Sequence, residues 1–194
     1  MIYRLQDAKK SLRDEIRLWL KDLELESKRE WNKKISIKLK KLTEQLLRLE
    51  NSNQKQLLIG GYFPMSDEAD WLIEFMTYPN LCFPQVDIKS RKIRFYQSRV
   101  QDLKKIKLFG KELCVPDDFG KEVFPDILVV PGLGFSAAGE RLGRGGGFYD
   151  QYLKSFNGAK IGICYEGQLR KHLPVESHDQ AVSVIITEKQ VLRY

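Results

Sequence analysis

The sequence has few of the residues that usually carry covalent or metal chemistry. Its 194 residues include only three cysteines and two histidines. Cys82, Cys114 and Cys164 lie far apart and form no C-x-x-C motif, so we predict reduced, buried thiols. His172 and His178 lack the companion spacing of a zinc site, and no Ser-His-Asp or Cys-His arrangement is present. We therefore expect neither a structural zinc nor a protein nucleophile.

Long apolar runs are also missing. No stretch approaches the ~20 residues that cross a membrane, and the N-terminal MIYRLQDAKKSLRDE lacks the apolar core of a signal peptide. With its unpaired cysteines, the chain is predicted to be cytoplasmic and to have no membrane partner. Hydrophobic residues make up 42%, as in globular proteins, and the length suits one domain with a substantial core.

Positive charge is concentrated at the N-terminus. The net charge is +7; residues 1–56 hold 15 Lys/Arg and 9 Asp/Glu, whereas residues 57–194 hold 18 and 17. Such a surface could bind nucleic acid or a polyanionic small molecule, although a solvated helical face is commoner. Trp19 and Trp31 fall on apolar stripes rather than between basic residues, which disfavours nucleic acid.

Apolar periodicity predicts the secondary structure. Leu5 to Leu23 indicates an amphipathic helix of five to six turns, and the capping-box pattern Ser27 to Glu30 predicts the start of a second helix that runs to about residue 50. We predict strands over residues 57–62, 81–83, 92–97, 127–130, 161–165, 181–187 and 190–193. Residues 66–76 are predicted to be a helix, 168–172 a short helix at best, and 98–125 mainly loop. Strands that alternate with helices favour an α/β fold with a mostly parallel central sheet.

One stretch, residues 126–153, combines the features of a phosphate site: DILVVPGLGFSAAGERLGRGGGFYDQYL. A buried strand leads into a glycine-rich loop, and Gly147 is predicted to open a helix. Converging backbone N–H groups and a helix N-terminus suit phosphate, as do the guanidinium groups of Arg141 and Arg144. Asp150, one turn further on, could hold Mg²⁺. Neither G-x-x-x-x-G-K-[S/T] nor G-x-G-x-x-G is present.

The motif PGLGF…G-x-RLGRGGGFYD resembles the signature of the 5-formyltetrahydrofolate cyclo-ligase family, also called methenyltetrahydrofolate synthetases. The resemblance implies a single three-layer α/β domain over residues 1–194, similar to sugar-phosphate isomerases and CoA transferases, with residues 1–56 packed on the core. It also implies that ATP and Mg²⁺ are used to cyclise 5-formyltetrahydrofolate to 5,10-methenyltetrahydrofolate, with release of ADP and phosphate. The implied partners are these two substrates, with no nucleic acid and no membrane, and we expect a monomer.

The resemblance further implies roles for individual residues. The metal ligands would be Asp150 and Asp179, and the folate would contact Phe63, Glu68 and residues 144–148. The remaining set, for ATP, comprises Lys9, Lys10, Ser11, Leu12, Arg13, Arg141, Leu142, Gly143, Arg144, Gly145, Gly146, Gly147, Phe148 and Tyr149.

Plainer interpretations stand beside these roles. The basic cluster of residues 9–13 alone would more often be a solvated face, Glu68 a helix-start acid, and Asp179 a surface turn acid. The family commonly has Asp where this chain has Ser136, and Tyr-Tyr where it has Phe148-Tyr149. Two other functions stay open: a nucleic-acid-binding module that uses the N-terminal helices, and a small-molecule kinase that uses the same loop.

Overall fold

The computed structural model describes residues 2–49, 57–108, 110–117 and 120–194. Three segments are 3₁₀ turns, at Leu72–Glu74, Val100–Asp102 and Glu166–Gln168. The helices and strands are α1 Ile2–Asp22, α2 Leu25–Leu49, β1 Ile59–Gly61, β2 Leu81–Asp87, β3 Lys92–Gln97, β4 Lys104–Leu108, β5 Lys111–Val115, β6 Glu122–Val123, β7 Ile127–Val130, β8 Gly134–Ser136, β9 Arg141–Leu142, α3 Phe148–Leu153, β10 Ala159–Ile163, β11 Leu169–Arg170, β12 Val184–Ile186 and β13 Val191–Arg193.

An eight-stranded sheet forms the centre of the fold, in the order β13-β12-β10-β7-β1-β2-β3-β6. The five neighbours from β12 to β2 pair in parallel, whereas β13, β3 and β6 add antiparallel edges. All four residues of β7 are buried, as expected for a parallel strand covered on both faces. The prediction of an α/β fold with a mostly parallel central sheet is confirmed.

Alternate residues of β7 enter two different cores. Ile127 and Val129 join the core that contains Ile16 of α1 and Ile35 of α2, both fully buried. Leu128 and Val130 join the core that contains Leu153 of α3. Because successive strand side chains point to opposite faces, helices cover the sheet on both sides and the fold has three layers.

The N-terminal helices follow the predicted pattern, with one correction. α1 has 21 residues, just under six turns, as predicted. α2 begins at Leu25, so the predicted capping box is wrong: Ser27 and Glu30 lie inside the helix. Its first turn is closed instead by the N–H of Lys28, which donates to the Glu24 carbonyl (3.1 Å).

Residues 66–76 do not form the predicted α-helix. They fold into a turn and the single 3₁₀ turn at Leu72–Glu74, and Met76 is exposed. The side chain of Asp70 accepts the Leu72 N–H (2.9 Å), and Ser36 of α2 accepts the Glu74 N–H (2.8 Å). These bonds satisfy the backbone locally and hold the segment against α2.

Several strand boundaries differ from the predictions. β2 continues through Pro84, which lies beyond the two-residue ladder with β1, where a missing N–H is tolerated. The strands predicted over 57–62 and 181–187 exist but are shorter, and the strand predicted over 161–165 begins and ends two residues earlier. β3 has the predicted bounds and alternation.

Two predicted loop or helix segments are strands. Residues 98–125 contain the hairpin β4–β5 and the short β6, and the segment predicted as a short helix at 168–172 contains β11. Every residue of β4 except half-buried Leu108 is exposed.

The cysteine prediction holds for two residues. All three cysteines are free, and Cys82 and Cys164 are buried, but Cys114 on the hairpin is only half-buried. Within the described residues, no helix combines the length and apolar character required for a membrane span.

Candidate functional site

The glycine-rich loop doubles back on itself after β7. β8 and β9 pair antiparallel, with Phe135 opposite Arg141, so the chain returns to the carboxyl end of β7. Arg141 is 5% exposed; its Nη1 donates to the Pro131 carbonyl (3.0 Å) and its Nη2 to Asp150 Oδ1 (2.5 Å). A Cβ at Gly143 would lie 2.9 Å from Arg141 Nη1, so only glycine fits beside the guanidinium without displacement.

Gly147 opens α3, as predicted. Its φ of 70° lies in the left-handed region that glycine adopts readily, and the Gln151 N–H donates to its carbonyl (3.1 Å). The helix ends at Leu153, so Phe156 packs on the core from beyond it. Gly145, Gly146 and Gly147 are exposed. Their backbone is therefore accessible to a ligand.

The basic cluster of α1 divides into two faces. Lys9 is buried, and its Nζ donates to Glu176 Oε2 (2.6 Å) and Asp179 Oδ2 (2.5 Å). Arg13, one turn later on the same face, donates through Nε to the Gly143 carbonyl (2.8 Å). Burial lowers the pKa of Arg13, the nearby Arg17 charge adding to the effect.

The other residues of this cluster do not face the loop in the same way. Lys10 and Ser11 are exposed, and Leu12 packs against the core beneath α1. Lys10 forms no ion pair with the described residues. The structure therefore brings Arg13 to the glycine loop and Lys9 to Asp179, but leaves Lys10 at the surface.

The two predicted metal ligands lie close together. Asp150 Oδ1 accepts the N–H of Gln180 (3.4 Å), the residue after Asp179. Asp179 Oδ2 accepts Lys9 Nζ and the Glu176 N–H (2.7 Å). Burial alone would raise the pKa of Asp179, but the hydrogen bonds and the charge of Lys9 hold it below its ordinary value.

The donor set fits a magnesium ion. Within the described part of the chain, Asp150 Oδ2 and Asp179 Oδ1 accept no hydrogen bond, so each carboxylate keeps one oxygen for a ligand. Mg²⁺ takes hard oxygen ligands and commonly needs only one or two carboxylates beside water and phosphate. Glu176, His178 and Asp179 also present ligand atoms within 4.8 Å of one another, although Lys9 already contacts both acids.

Arg144 joins the glycine loop to the predicted folate residues. Its Nη1 and Nη2 donate to the two carboxylate oxygens of Asp67 (2.8 Å each), and its Nε donates to Glu68 Oε1 (3.0 Å). Burial alone would lower the pKa of Arg144, but the hydrogen bonds to Asp67 and the charge of Glu68 raise it. The loop that carries the nucleotide candidates is thus in direct contact with the folate candidate.

Glu68 is a buried carboxylate and not a helix-start acid, because no α-helix follows it. Its second oxygen, Oε2, accepts the Met65 N–H (3.0 Å). Burial raises the pKa of Glu68 even though Arg144 opposes the shift. A carboxylate that is kept buried although burial disfavours its charged form is more typical of a binding site than of a solvated surface.

Among the predicted aromatic site residues, Tyr149 lies near Glu68, whereas Phe63 and Phe148 pack against different cores. The hydroxyl of Tyr149 is buried and has no hydrogen-bond partner among the described residues; burial and the Glu68 charge raise its pKa. Phe63 is half-buried against the core beneath α1 and α2, and Phe148 against the core beneath α3. The unpaired hydroxyl is a donor and acceptor available to a ligand.

A cleft of about 370 Å³ opens between α2 and residues 64–70. Asn32 holds its walls together, because its Oδ1 accepts the Asp70 N–H (3.0 Å) and the Tyr165 O–H (2.8 Å). Burial raises the pKa of Asp70 despite its bond from the Leu72 N–H. The cleft is lined by Leu25, Lys28, Arg29 and Asn32 of α2, by residues 64–66, and by Glu68, Asp70 and Tyr165.

The sequence patterns missed most of these contacts. The adjacent acids Asp67-Glu68 and the run Glu176-x-His-Asp were the available signals, but nothing local connects them with Arg144 or Lys9. Ser136, where the family commonly has Asp, is fully buried and accepts the N–H groups of Ala138 (3.2 Å) and Glu140 (3.3 Å). Its hydroxyl caps a turn.

These features define an α/β protein with a cluster of paired charged side chains, a candidate ligand site, beyond the carboxyl ends of parallel strands. The family model described as the 5-formyltetrahydrofolate cyclo-ligase family matches residues 5–188. The chain therefore belongs to this family.

Individual relatives agree with the family match. A 5-formyltetrahydrofolate cyclo-ligase of Mus musculus is 26% identical over 203 residues, which cover 95% of each chain. Other curated matches are partial: the Escherichia coli K12 cyclo-ligase is 38% identical over 69 residues, 34% of this chain and 38% of its own.

Solved structures resemble the whole chain. The 5,10-methenyltetrahydrofolate synthetase of Aquifex aeolicus has a TM-score of 0.78 at 30% identity and covers 95% of this chain and 92% of its own. A synthetase of the same name from Mycoplasma pneumoniae has a TM-score of 0.66 at 23% identity, with 93% and 98% covered, and shows the fold alone. The likeness to sugar-phosphate isomerases and CoA transferases stays a prediction.

Proposed function

We propose that the protein is an ATP- and Mg²⁺-dependent 5-formyltetrahydrofolate cyclo-ligase, which forms 5,10-methenyltetrahydrofolate and releases ADP and phosphate. The observation that carries the proposal is that, in a chain of this family, one glycine-rich loop contacts both a predicted metal ligand and a predicted folate residue. The loop contacts Asp150 through Arg141 and Glu68 through Arg144. Transfer between two substrates requires that one element reaches both.

The chemistry needs placement and charge neutralisation rather than a protein nucleophile. The formyl oxygen is a poor leaving group, so the terminal phosphoryl group of ATP is transferred to it as ADP leaves. N10 then bonds to the formyl carbon and loses its proton, the carbon–oxygen bond breaks, and inorganic phosphate departs. Cationic side chains and converging N–H groups stabilise the charge on the moving phosphoryl group.

Nucleotide binding is assigned to residues 9–13 and 141–149, with exposed Lys10 expected to contribute little. Lys9, Arg13, Arg141 and Arg144 would contact phosphate oxygens together with the backbone of Gly145–Gly147, and Leu12 and Leu142 would hold these groups in place from the core. Lys9, Arg141 and Arg144 are paired with acids, whereas Arg13 donates to the Gly143 carbonyl. Binding of ATP would therefore exchange partners, each of the three paired cations moving from a carboxylate toward phosphate.

Asp150 and Asp179 would hold Mg²⁺ through their available oxygens. The ion would supply neutralisation of the phosphate charge. When Lys9 and Arg141 move toward phosphate, Asp179 and Asp150 lose their ion-pair partners and become available to the ion.

Folate binding is assigned to Phe63, Glu68 and residues 144–148. The pterin presents several N–H donors, and a buried carboxylate is a suitable acceptor for them. Glu68 must give up a bond to Arg144 or Met65 to receive the pterin. We propose that the movement of Arg144 toward ATP provides this opening.

The nucleic-acid alternative loses support from the helices themselves. Trp19 and Trp31 pack against the core, so these two rings are not presented for stacking on bases. A cytoplasmic location and a monomeric state stay predictions from the sequence.

The decisive experiment measures the product. 5,10-Methenyltetrahydrofolate absorbs in the near ultraviolet, so its formation can be followed with the full set of substrates and with ATP or Mg²⁺ left out. Product that depends on both supports the proposal. ATP consumption without this absorbance would instead support a kinase and overturn cyclisation.

A second experiment tests the folate acid by calorimetry. Glu68→Gln turns one acceptor oxygen into a donor that faces pterin donors, an unpaired buried group that costs about 1–3 kcal/mol. Folate affinity should fall while ATP affinity should not, because loss of the Glu68 bond only frees Arg144 for phosphate. Glu44→Gln, exposed on α2, is the matched control. Unchanged folate affinity in Glu68→Gln would assign the pterin to another residue.

A further inference from the structure

The cleft beside α2 is lined by both acidic and basic side chains. The acids that line it are Glu68 and Asp70, and the cations are Lys28 and Arg29. Lys28 lies one helical turn before Asn32, whose Oδ1 accepts the Asp70 N–H, so the basic side chains and the acidic segment line the same cleft. Leu25, Met65 and Tyr165 supply apolar surface to the same cleft.

The basic side chains are available for an anion. Lys28 is half-buried, and its ammonium forms no ion pair within the described residues, although a cation taken partly out of water gains from a partner. Arg29 lies 3.5 Å from Glu26, but both side chains are more than three-quarters exposed, so the pair contributes little. A carboxylate in the cleft could therefore bind both side chains without breaking a strong contact.

We propose that Lys28 and Arg29 bind the glutamate carboxylates of the folate substrate, an inference that rests on the proposed function. The substrate has groups that suit both kinds of side chain: N–H donors on the pterin, an aromatic benzoyl spacer, and carboxylates at the far end. With the pterin at Glu68, the spacer lies along the apolar walls and the glutamate reaches α2.

Calorimetry on the intact protein tests this orientation without requiring turnover. The two probes are 5-formyltetrahydrofolate and its glutamate-free analogue, 5-formyltetrahydropteroate. Lys28→Gln should weaken binding of the first about tenfold, the effect of one partly exposed charged hydrogen bond, and leave binding of the second unchanged. Lys33→Gln, an exposed site on the same helix, is the control and should alter neither.

The outcomes separate this inference from the proposed function. Equal affinity of the wild type for both probes, or an equal loss for both in Lys28→Gln, overturns the assignment of the glutamate end. The same holds if Lys33→Gln reproduces the selective loss. If the wild type discriminates between the probes through Lys28 yet makes no methenyl product, tail recognition stands and cyclisation fails.

Discussion

Replacing Asp67 with Asn should tighten ATP binding while it destabilises the ligand-free protein. Asp67 accepts two hydrogen bonds of 2.8 Å from the guanidinium of Arg144, the group that we assign to phosphate. Every contact that holds Arg144 at Asp67 competes with ATP. The two side chains are 30% and 23% exposed, so solvent screens the pair, and Asn keeps one acceptor. We expect ATP binding to become about 1 kcal/mol more favourable, roughly a fivefold lower Kd. The free energy of unfolding without ligand should fall by about 1 kcal/mol.

The measurements are calorimetric titration with ATP in the absence of folate, and thermal unfolding of the ligand-free protein. The gain in affinity should disappear in an Arg144→Gln background, because the competition acts through this arginine. Asp14→Asn, which removes the same charge from an exposed pair with Arg17, controls for net charge. Weaker ATP binding in Asp67→Asn, or an equal gain without Arg144, would refute the reasoning.

Three further outcomes are expected. Asp150→Asn should reduce turnover severely with the fold intact, and excess Mg²⁺ should restore part of it; near-normal turnover at low Mg²⁺ would contradict the metal assignment. Arg13→Gln should raise the KM for ATP about tenfold, whereas exposed Lys10→Gln should change it little; equal effects would contradict the division of the two faces. The folded-state pKa of Asp179 lies below its ordinary value of 3.8, so its pair with Lys9 stabilises the fold above that pH and is lost as the pH falls through the lowered value. The difference in Tm between wild type and Lys9→Gln should therefore shrink in acid, and growth of the difference would contradict the pairing.

Local sequence signals predicted the elements in which each face is buried or exposed in the same way from end to end. β3 alternates buried and exposed residues as written in its sequence, and β7 is a short apolar run because both of its faces are covered. Gly147 was identifiable as the start of α3 because Phe148 and Tyr152 follow it at helical spacing. The family motif is likewise continuous over residues 131–150, so it could be recognised without knowledge of the fold.

Contacts between distant segments decided the rest. Residues 66–76 have the apolar spacing of a helix, yet Ser36 and Asp70 capture their backbone N–H groups in a tighter turn. Periodicity placed Lys9 and Lys10 in one basic cluster, but only the packing of α1 buries Lys9 against Asp179, 170 residues away.

The cleft beside α2 and the link from Arg144 to Asp67 likewise join segments that no local pattern relates. Propensity and periodicity are properties of neighbouring residues, and they determined the strands, the helices and the glycine loop of this protein. Charge pairing and burial depend on which surfaces meet in space, so only the tertiary structure decided which side chains form the site.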